Sequence, residues 1–186
     1  MTAPLIGIAG MARSGKDTAA GALLDLEWTR RAFADEVKAM LYAANPTLVD
    51  ESYRAGLTTL RFEVDSYGWE EVKQMFPEVR RMLQDLGMKG RESLGEDVWV
   101  NALFEDAETW GPTVITDVRF PNEAHAIRDR GGLVVAIHRP DLTAIPEADH
   151  ISENALDGYL FDDVIRNDGT TAVLRDRVMQ LIPLVV

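Results

Sequence analysis

Leu5-Ile6-Gly7-Ile8-Ala9-Gly10-Met11-Ala12-Arg13-Ser14-Gly15-Lys16-Asp17-Thr18 is the stretch on which the reading of the fold turns. Its first five residues are apolar on both faces and stop at a glycine, the pattern of a short strand buried inside a parallel sheet. Gly10 to Thr18 fit G-x-x-x-x-G-K, with Asp17 where Ser or Thr is usual. Glycines let successive backbone N–H groups curl inward toward phosphate oxygens, and the helix expected from Lys16 to about Glu27 adds its positive end. Lys16 then reaches the terminal phosphates as a point charge. A carboxylate beside a polyphosphate is repelled unless it faces a cation, so Asp17 is expected to hold Mg²⁺ directly or through water. Thr18 would hydrogen-bond a phosphate nearer the ribose. The plainer alternatives are a glycine-rich turn between strand and helix, and an Asp17 that is only a favourable first-turn acid.

Outward from this stretch, short apolar runs alternate with helical ones. Arg31 to Ala34 reads as a second short strand, and Asp35 caps a helix through Tyr42 that stops at Asn45-Pro46. From about Thr47 to Trp110 the pattern is helical outside its turns. Pro77 starts one helix, and Gly87, Gly90 and Gly95 punctuate the next. Thr113 to Thr116 and Leu133 to Ile137 are strand-like, with a helix from Asn122 to Arg130 between them. Asp163 to Ile165 begins a last strand, broken at Asn167-Asp168-Gly169, and a closing helix runs to about Leu181. Short apolar strands alternating with helices predict an α/β fold, a parallel sheet covered on both faces, with the helical middle as an insertion at its carboxyl edge. Ligands in such folds sit at the strand ends, here Gly10, Asp117 and Arg139.

Composition narrows the function. The 186 residues carry 19 Lys and Arg against 31 Asp and Glu, a net charge of −12. No excess of cations is available to displace counterions from a nucleic-acid polymer. With 46% hydrophobic and 27% charged residues the chain reads as globular. It has no run near the 18 or so apolar residues of a membrane span and no visible secretory signal. Cys is absent, which excludes disulfides, a thiolate nucleophile and Cys-ligated metal. A cytoplasmic location is the expectation that fits. His125, His138 and His150 are isolated, so a histidine metal cluster is not expected.

In so acidic a chain, arginines at loop and strand-end positions stand out: Arg13, Arg81, Arg91, Arg119 and Arg139. Arginine forks bind phosphate bidentately. An acceptor that is itself a phosphate is already anionic and needs no base. Asp117-Val118-Arg119-Phe120-Pro121-Asn122-Glu123 puts an acid directly after a β-branched run, where a second Mg²⁺-organising carboxylate projects, with an Arg two residues on. Each feature has a plainer counterpart: Arg81 on the wet face of an amphipathic helix, Asn122 as an N-cap among surface charges, and Trp99 as a core aromatic rather than a base-stacking one.

Taken together, Gly10 to Thr18, Phe33-Ala34-Asp35 with Lys38, Leu83 to Gly87 with Gly90-Arg91, Gly95 to Trp99, Asp117 to Glu123 and Asp149 to Glu153 resemble the phage-type deoxynucleoside monophosphate kinases. The resemblance runs from about Leu5 to Asp168, and the Lys-Asp-Thr ending of the loop is usual in that family. It implies a three-layer P-loop kinase fold in a single domain over residues 1–186. The core would be about 1–34, 111–139 and 160–186, the helical substrate-binding region about 35–110, and the lid about 139–155. It also implies ATP and Mg²⁺ as cofactors, deoxynucleoside monophosphates as substrates and a chain that can pair as a homodimer.

Carried over by position, Gly10, Arg13, Ser14, Gly15, Lys16, Asp17 and Thr18 hold the ATP phosphates. Asn167, Asp168 and Gly169 border the donor base. Phe33, Asp35, Lys38, Arg81, Gln84, Arg91, Trp99 and Arg119 line the acceptor side. Lys16, Arg13, Asp117, Arg119 and Arg139 are the catalytic set, with Asp17 and Asp117 facing the metal. No arginine lies between Pro140 and Ile165, a departure that shifts the lid's catalytic role to Arg13 and Arg139. Two other readings share the loop: a small-metabolite kinase resembling phosphomevalonate or dephospho-coenzyme A kinase, and a non-catalytic nucleotide switch.

Overall fold

A computed structural model describes residues 3–49, 56–142 and 155–185. The chain divides into two compact units, Met1–Phe33 with Leu103–Val186, and Ala34–Ala102. Among the described residues no helix is long and apolar enough to cross a membrane.

The first unit is built on a five-stranded sheet. Its strands are β1 (Leu5–Ala9), β2 (Thr29–Arg31), β5 (Thr113–Val118), β6 (Leu133–His138) and β7 (Asp163–Arg166). All are paired parallel, in the order β2-β5-β1-β6-β7. The expected parallel sheet is thus present, with β1 at its centre. Because side chains alternate along a strand, Ile6 and Ile8 face one side. There they join Ala19, Ala20 and Leu23 of α1 (Lys16–Leu24), and Leu174 and Val178 of the C-terminal helix (Thr171–Met179), in a buried cluster. Gly7 faces the other side, against α6 (Pro121–Arg128). A Cβ on Gly7 would stand 2.5 Å from Ile127 Cδ1, so only glycine lets α6 sit this close to the central strand. The result is helix, sheet, helix.

Local boundaries differ from expectation in explicable ways. The second strand is Thr29–Arg31, not Arg31 to Ala34, and Phe33 already starts a helix. β5 continues through Asp117 to Val118, so that acid is held by the ladder rather than by a loop. α6 starts at Pro121 and is capped from inside: the buried Glu123 carboxylate accepts from the N–H groups of Arg119 (2.7 Å) and Phe120 (3.0 Å). The N-terminal cap that the plainer reading would give to Asn122 is supplied by Glu123.

The second unit holds α2 (Phe33–Ala44, continuing from the first), α3 (Leu60–Met75), α4 (Pro77–Leu94) and α5 (Val98–Leu103). It is not wholly helical, as the pattern had suggested. β3 (Thr47–Val49) pairs antiparallel with β4 (Leu57–Thr59). Leu41, Leu48, Leu60, Val72, Phe76 and Val79 form its buried core. Gly87 and Gly90 do not break a helix either; α4 runs straight through both. Gly90 serves a contact instead. The Trp99 indole lies on it, and a Cβ there would be 2.5 Å from Trp99 Cζ2. Residues 143–154, which include most of the expected lid with His150 and the Asp149 to Glu153 motif, lie outside the described residues.

Candidate active site

The turn between β1 and α1 needs backbone that most residues resist. Gly10 (φ 139°), Arg13 (φ 64°) and Gly15 (φ 105°) all take positive φ, and glycine does so at least cost. At Gly10 a Cβ would also meet the Ile137 carbonyl at 2.6 Å and Ser14 Oγ at 2.8 Å. Gly15 precedes α1 with no side-chain cap, so the first N–H groups of that helix find no capping oxygen there. Ser14 is buried, and its hydroxyl oxygen has no hydrogen-bond partner among the described residues. A buried orphan hydroxyl and an uncapped, glycine-lined helix start are what a bound polyphosphate would satisfy, so this cradle fits the phosphates of a nucleotide. Lys16 folds back over the loop, its Nζ donating to the carbonyls of Gly10 (2.6 Å) and Met11 (2.7 Å). Its ammonium is thus held at the mouth of the cradle.

Strand ends bring further groups to the same place. A cleft of about 280 Å³ is lined by Gly10, Lys16, Asp117, Arg119 and His138 among others. It opens at the carboxyl ends of β1, β5 and β6. After β1 the chain leaves toward the β2 edge, and after β6 toward the β7 edge, which is the crevice position for ligands in parallel sheets. Asp117 Oδ1 accepts from the Phe33 N–H (2.8 Å), which fixes the carboxylate across the sheet. Glu123, by capping the 119–120 turn, fixes the backbone from which the exposed Arg119 side chain extends.

A second, more polar cleft of about 250 Å³ lies beside the first turn of α1. Gly15, Thr18, Arg139, Asp141, Asn167, Asp168, Gly169 and Thr171 line it. The Arg177 and Arg166 guanidinium groups grip Asp168 (3.0 and 2.6 Å) and hold its carboxyl below the usual aspartate range. The Arg13 and Asp17 side chains are exposed on the loop and the first turn of α1. Among the described residues no group of three or more His, Asp or Glu side chains is arranged to hold a metal ion. Asp17 and Asp117 suit a small hard cation that takes its remaining ligands from phosphate and water, as Mg²⁺ does.

The other predicted residues fall as follows. Phe33 is buried edge-to-face against Phe104, centroids 6.1 Å apart, within the first unit. In the second unit Lys38 and Asp35 pair at 3.4 Å on α2. Arg81, Gln84 and Arg91 recur at helical spacing on the face of α4 turned away from its buried Val79 and Gly90. Trp99 is 5% exposed, and its Nε1 donates to the Gly87 carbonyl (2.8 Å), so the indole is committed to α4. Sequence reading passed over His138, Leu156, Asp157 and Phe161 as cleft residues. His138 carried a signal, since it ends β6 just as Asp117 nears the end of β5. Leu156 and Phe161 carried none, because only the course of the returning chain brings them there.

The chain is similar to several known proteins. The chain is 41% identical over 113 residues to an uncharacterized protein, ORF77, of Ictalurid herpesvirus 1 (strain Auburn). That match takes in 58% of this chain and 49% of the viral protein, so the chain spans about half the length of the curated relative it matches. Among solved structures it resembles TT1252 from Thermus thermophilus over 100% of both chains, at 18% identity and a TM-score of 0.54, a likeness of fold. An APS kinase from Mycobacterium tuberculosis aligns over 98% of each chain at 11% identity and a TM-score of 0.44. The deoxynucleotide monophosphate kinase family matches residues 70–178. With residues 70–178, more than half of its length, matched to that family, the chain belongs to the deoxynucleotide monophosphate kinases.

Proposed function

We propose that this enzyme transfers the γ-phosphoryl group of ATP to a deoxynucleoside monophosphate, giving the diphosphate and ADP. The observation that carries the reading is the cleft in which Lys16, Asp117 and Arg119 meet the phosphate cradle. In the reaction the bond between the γ-phosphorus and its bridging oxygen breaks, and one forms to an acceptor phosphate oxygen that is already anionic. No proton need be removed, so positioning and charge neutralisation supply the rate. Lys16 exchanges its two carbonyl partners for phosphate oxygens as the donor enters. The Ser14 hydroxyl and the N–H groups at the start of α1 bind the donor's phosphates. Thr18 bonds a phosphate nearer the ribose, and Asn167, Asp168 and Gly169 border the donor base.

By the family resemblance Arg119 binds the acceptor phosphate; the same resemblance assigns Phe33, and on the helical unit Arg81, Arg91, Gln84, Asp35, Lys38 and Trp99, to the acceptor. Arg13 and Arg139 neutralise the transferring group. Asp17 and Asp117 would hold Mg²⁺, which would supply charge neutralisation at the phosphates. Homodimer formation fits the same family resemblance.

The test is ADP release with ATP, Mg²⁺ and each of the eight common nucleoside monophosphates, deoxy and ribo, beside dephospho-coenzyme A, phosphomevalonate and a no-acceptor control. Stimulation by one or more deoxynucleotides supports the reading. Turnover only with a small metabolite, or slow ATP hydrolysis indifferent to every acceptor, overturns it.

A further inference from the structure

Asn167 stands out among the residues of the second cleft because it touches the cradle itself. Its backbone N–H donates to the His138 carbonyl (2.7 Å), continuing the β6–β7 pairing, and its side-chain Nδ2 donates to the Ser14 carbonyl (2.8 Å). The two residues are 153 positions apart. The fit is close on the other side as well, since a Cβ on Gly15 would lie 2.5 Å from that same Nδ2.

The bonded carbonyl belongs to the Ser14–Gly15 peptide, and Gly15, on its C-terminal side, has φ 105°. A peptide that leads into glycine can turn over with little steric resistance, because glycine accepts both signs of φ. In a trans peptide the carbonyl and the N–H point in opposite directions. Whatever holds the Ser14 oxygen toward β7 therefore aims the Gly15 N–H the other way. The turn carrying Asn167 is braced in its own right: Asp168 pairs with Arg166 and Arg177, and Arg177 also donates to the Arg166 carbonyl.

We propose that Asn167 is a positioning residue that locks the Ser14–Gly15 peptide with its N–H turned toward the donor's phosphates, and so couples the turn after β7 to the phosphate cradle. The inference rests on the kinase reading above and deepens it. It assigns Asn167 a task that does not depend on the donor's base, so the effect must persist with a ligand that has none.

Inorganic tripolyphosphate with Mg²⁺ is that probe, titrated calorimetrically into the full chain. Asn167→Ala removes the amide without adding charge, and is expected to weaken tripolyphosphate binding about tenfold, the weight of one hydrogen bond to a carbonyl left unpaired. In steady state the ATP KM rises by a similar factor while the acceptor KM stays put. Thr170→Ala, which removes the N-cap of the helix that follows the same turn and lies outside the cradle and the cleft lining, leaves tripolyphosphate binding within about twofold. Equal tripolyphosphate affinity in Asn167→Ala and the parent overturns the proposal. So does a uniform fall in kcat and both affinities together with a lowered melting midpoint, the mark of general damage. A parent chain that itself binds neither tripolyphosphate nor ATP refutes the kinase reading instead, which separates the two failures.

Discussion

Replacing Gly90 by alanine tests whether α4 is built around Trp99. On helix propensity alone the change should help, by about 1 kcal/mol in a helix interior. The packing says otherwise. The new Cβ would stand 2.5 Å from Trp99 Cζ2, 3.1 Å from Cε2 and 3.4 Å from Nε1. The indole is 5% exposed and tied to the Gly87 carbonyl, so it has no room to swing aside cheaply. Overpacking of this kind costs about 1–3 kcal/mol, and displacing the indole from its carbonyl adds about 1 kcal/mol. After the propensity gain, a net loss of about 1–3 kcal/mol remains. For a chain of this length that lowers the thermal midpoint by about 2–10 °C.

Thermal and urea denaturation of Gly90→Ala, alone and in a Trp99→Leu background, measure it. With the indole gone the obstruction goes too, and Gly90→Ala should then raise the midpoint by the propensity term. An unchanged or raised midpoint in the parent background would refute the packing argument, as would an equal drop in both backgrounds. Either result would free Trp99 from its structural role and return it to the acceptor side as a ligand.

Lys16→Met should leave the circular dichroism and melting midpoint close to the parent's, since the Gly10 and Met11 carbonyls its Nζ bonds belong to the loop and not to the core. It should cut ADP release at least about 100-fold through lost charge stabilisation; a loss under tenfold contradicts the cradle. Arg91→Lys should raise the acceptor KM about tenfold or more while sparing the ATP KM, because an ammonium cannot reproduce a bidentate fork. A pH series on Asp168→Asn checks the grip of its two arginines. A depressed carboxyl adds stability above the ordinary aspartate value and loses it as pH falls through the depressed one. The gap in melting midpoint between parent and variant should therefore be steady near neutrality, shrink as the pH drops below about 4, and close in stronger acid. A gap that widened on acidification would contradict the Arg177 and Arg166 pairing.

What the sequence alone determined was the sheet and its central turn. Leu5 to Ala9, Thr113 to Thr116 and Leu133 to Ile137 are apolar on both faces, and Gly10, Gly15 and Lys16 punctuate the first of them. Such patterns follow from backbone sterics and from the burial of neighbouring residues, which are local properties. Three-residue strands such as Thr47–Val49 and Leu57–Thr59 carry too little periodicity to be seen, and exist because each pairs with the other. Gly90 was misread for a related reason. A glycine in a helical stretch looks like a break until the residue that lies against it is known, and Trp99 arrives only when the chain turns back after α4.

Phe33 seated on Asp117, His138 and Phe161 in the cleft, and Asn167 on Ser14 are all meetings between distant stretches, set by which strand ends the topology brings together. Residue types could nominate candidates for the chemistry. Only the order β2-β5-β1-β6-β7 decided which of them share a cleft, because contact between residues 84 or 153 positions apart depends on the path of the chain and not on its local pattern.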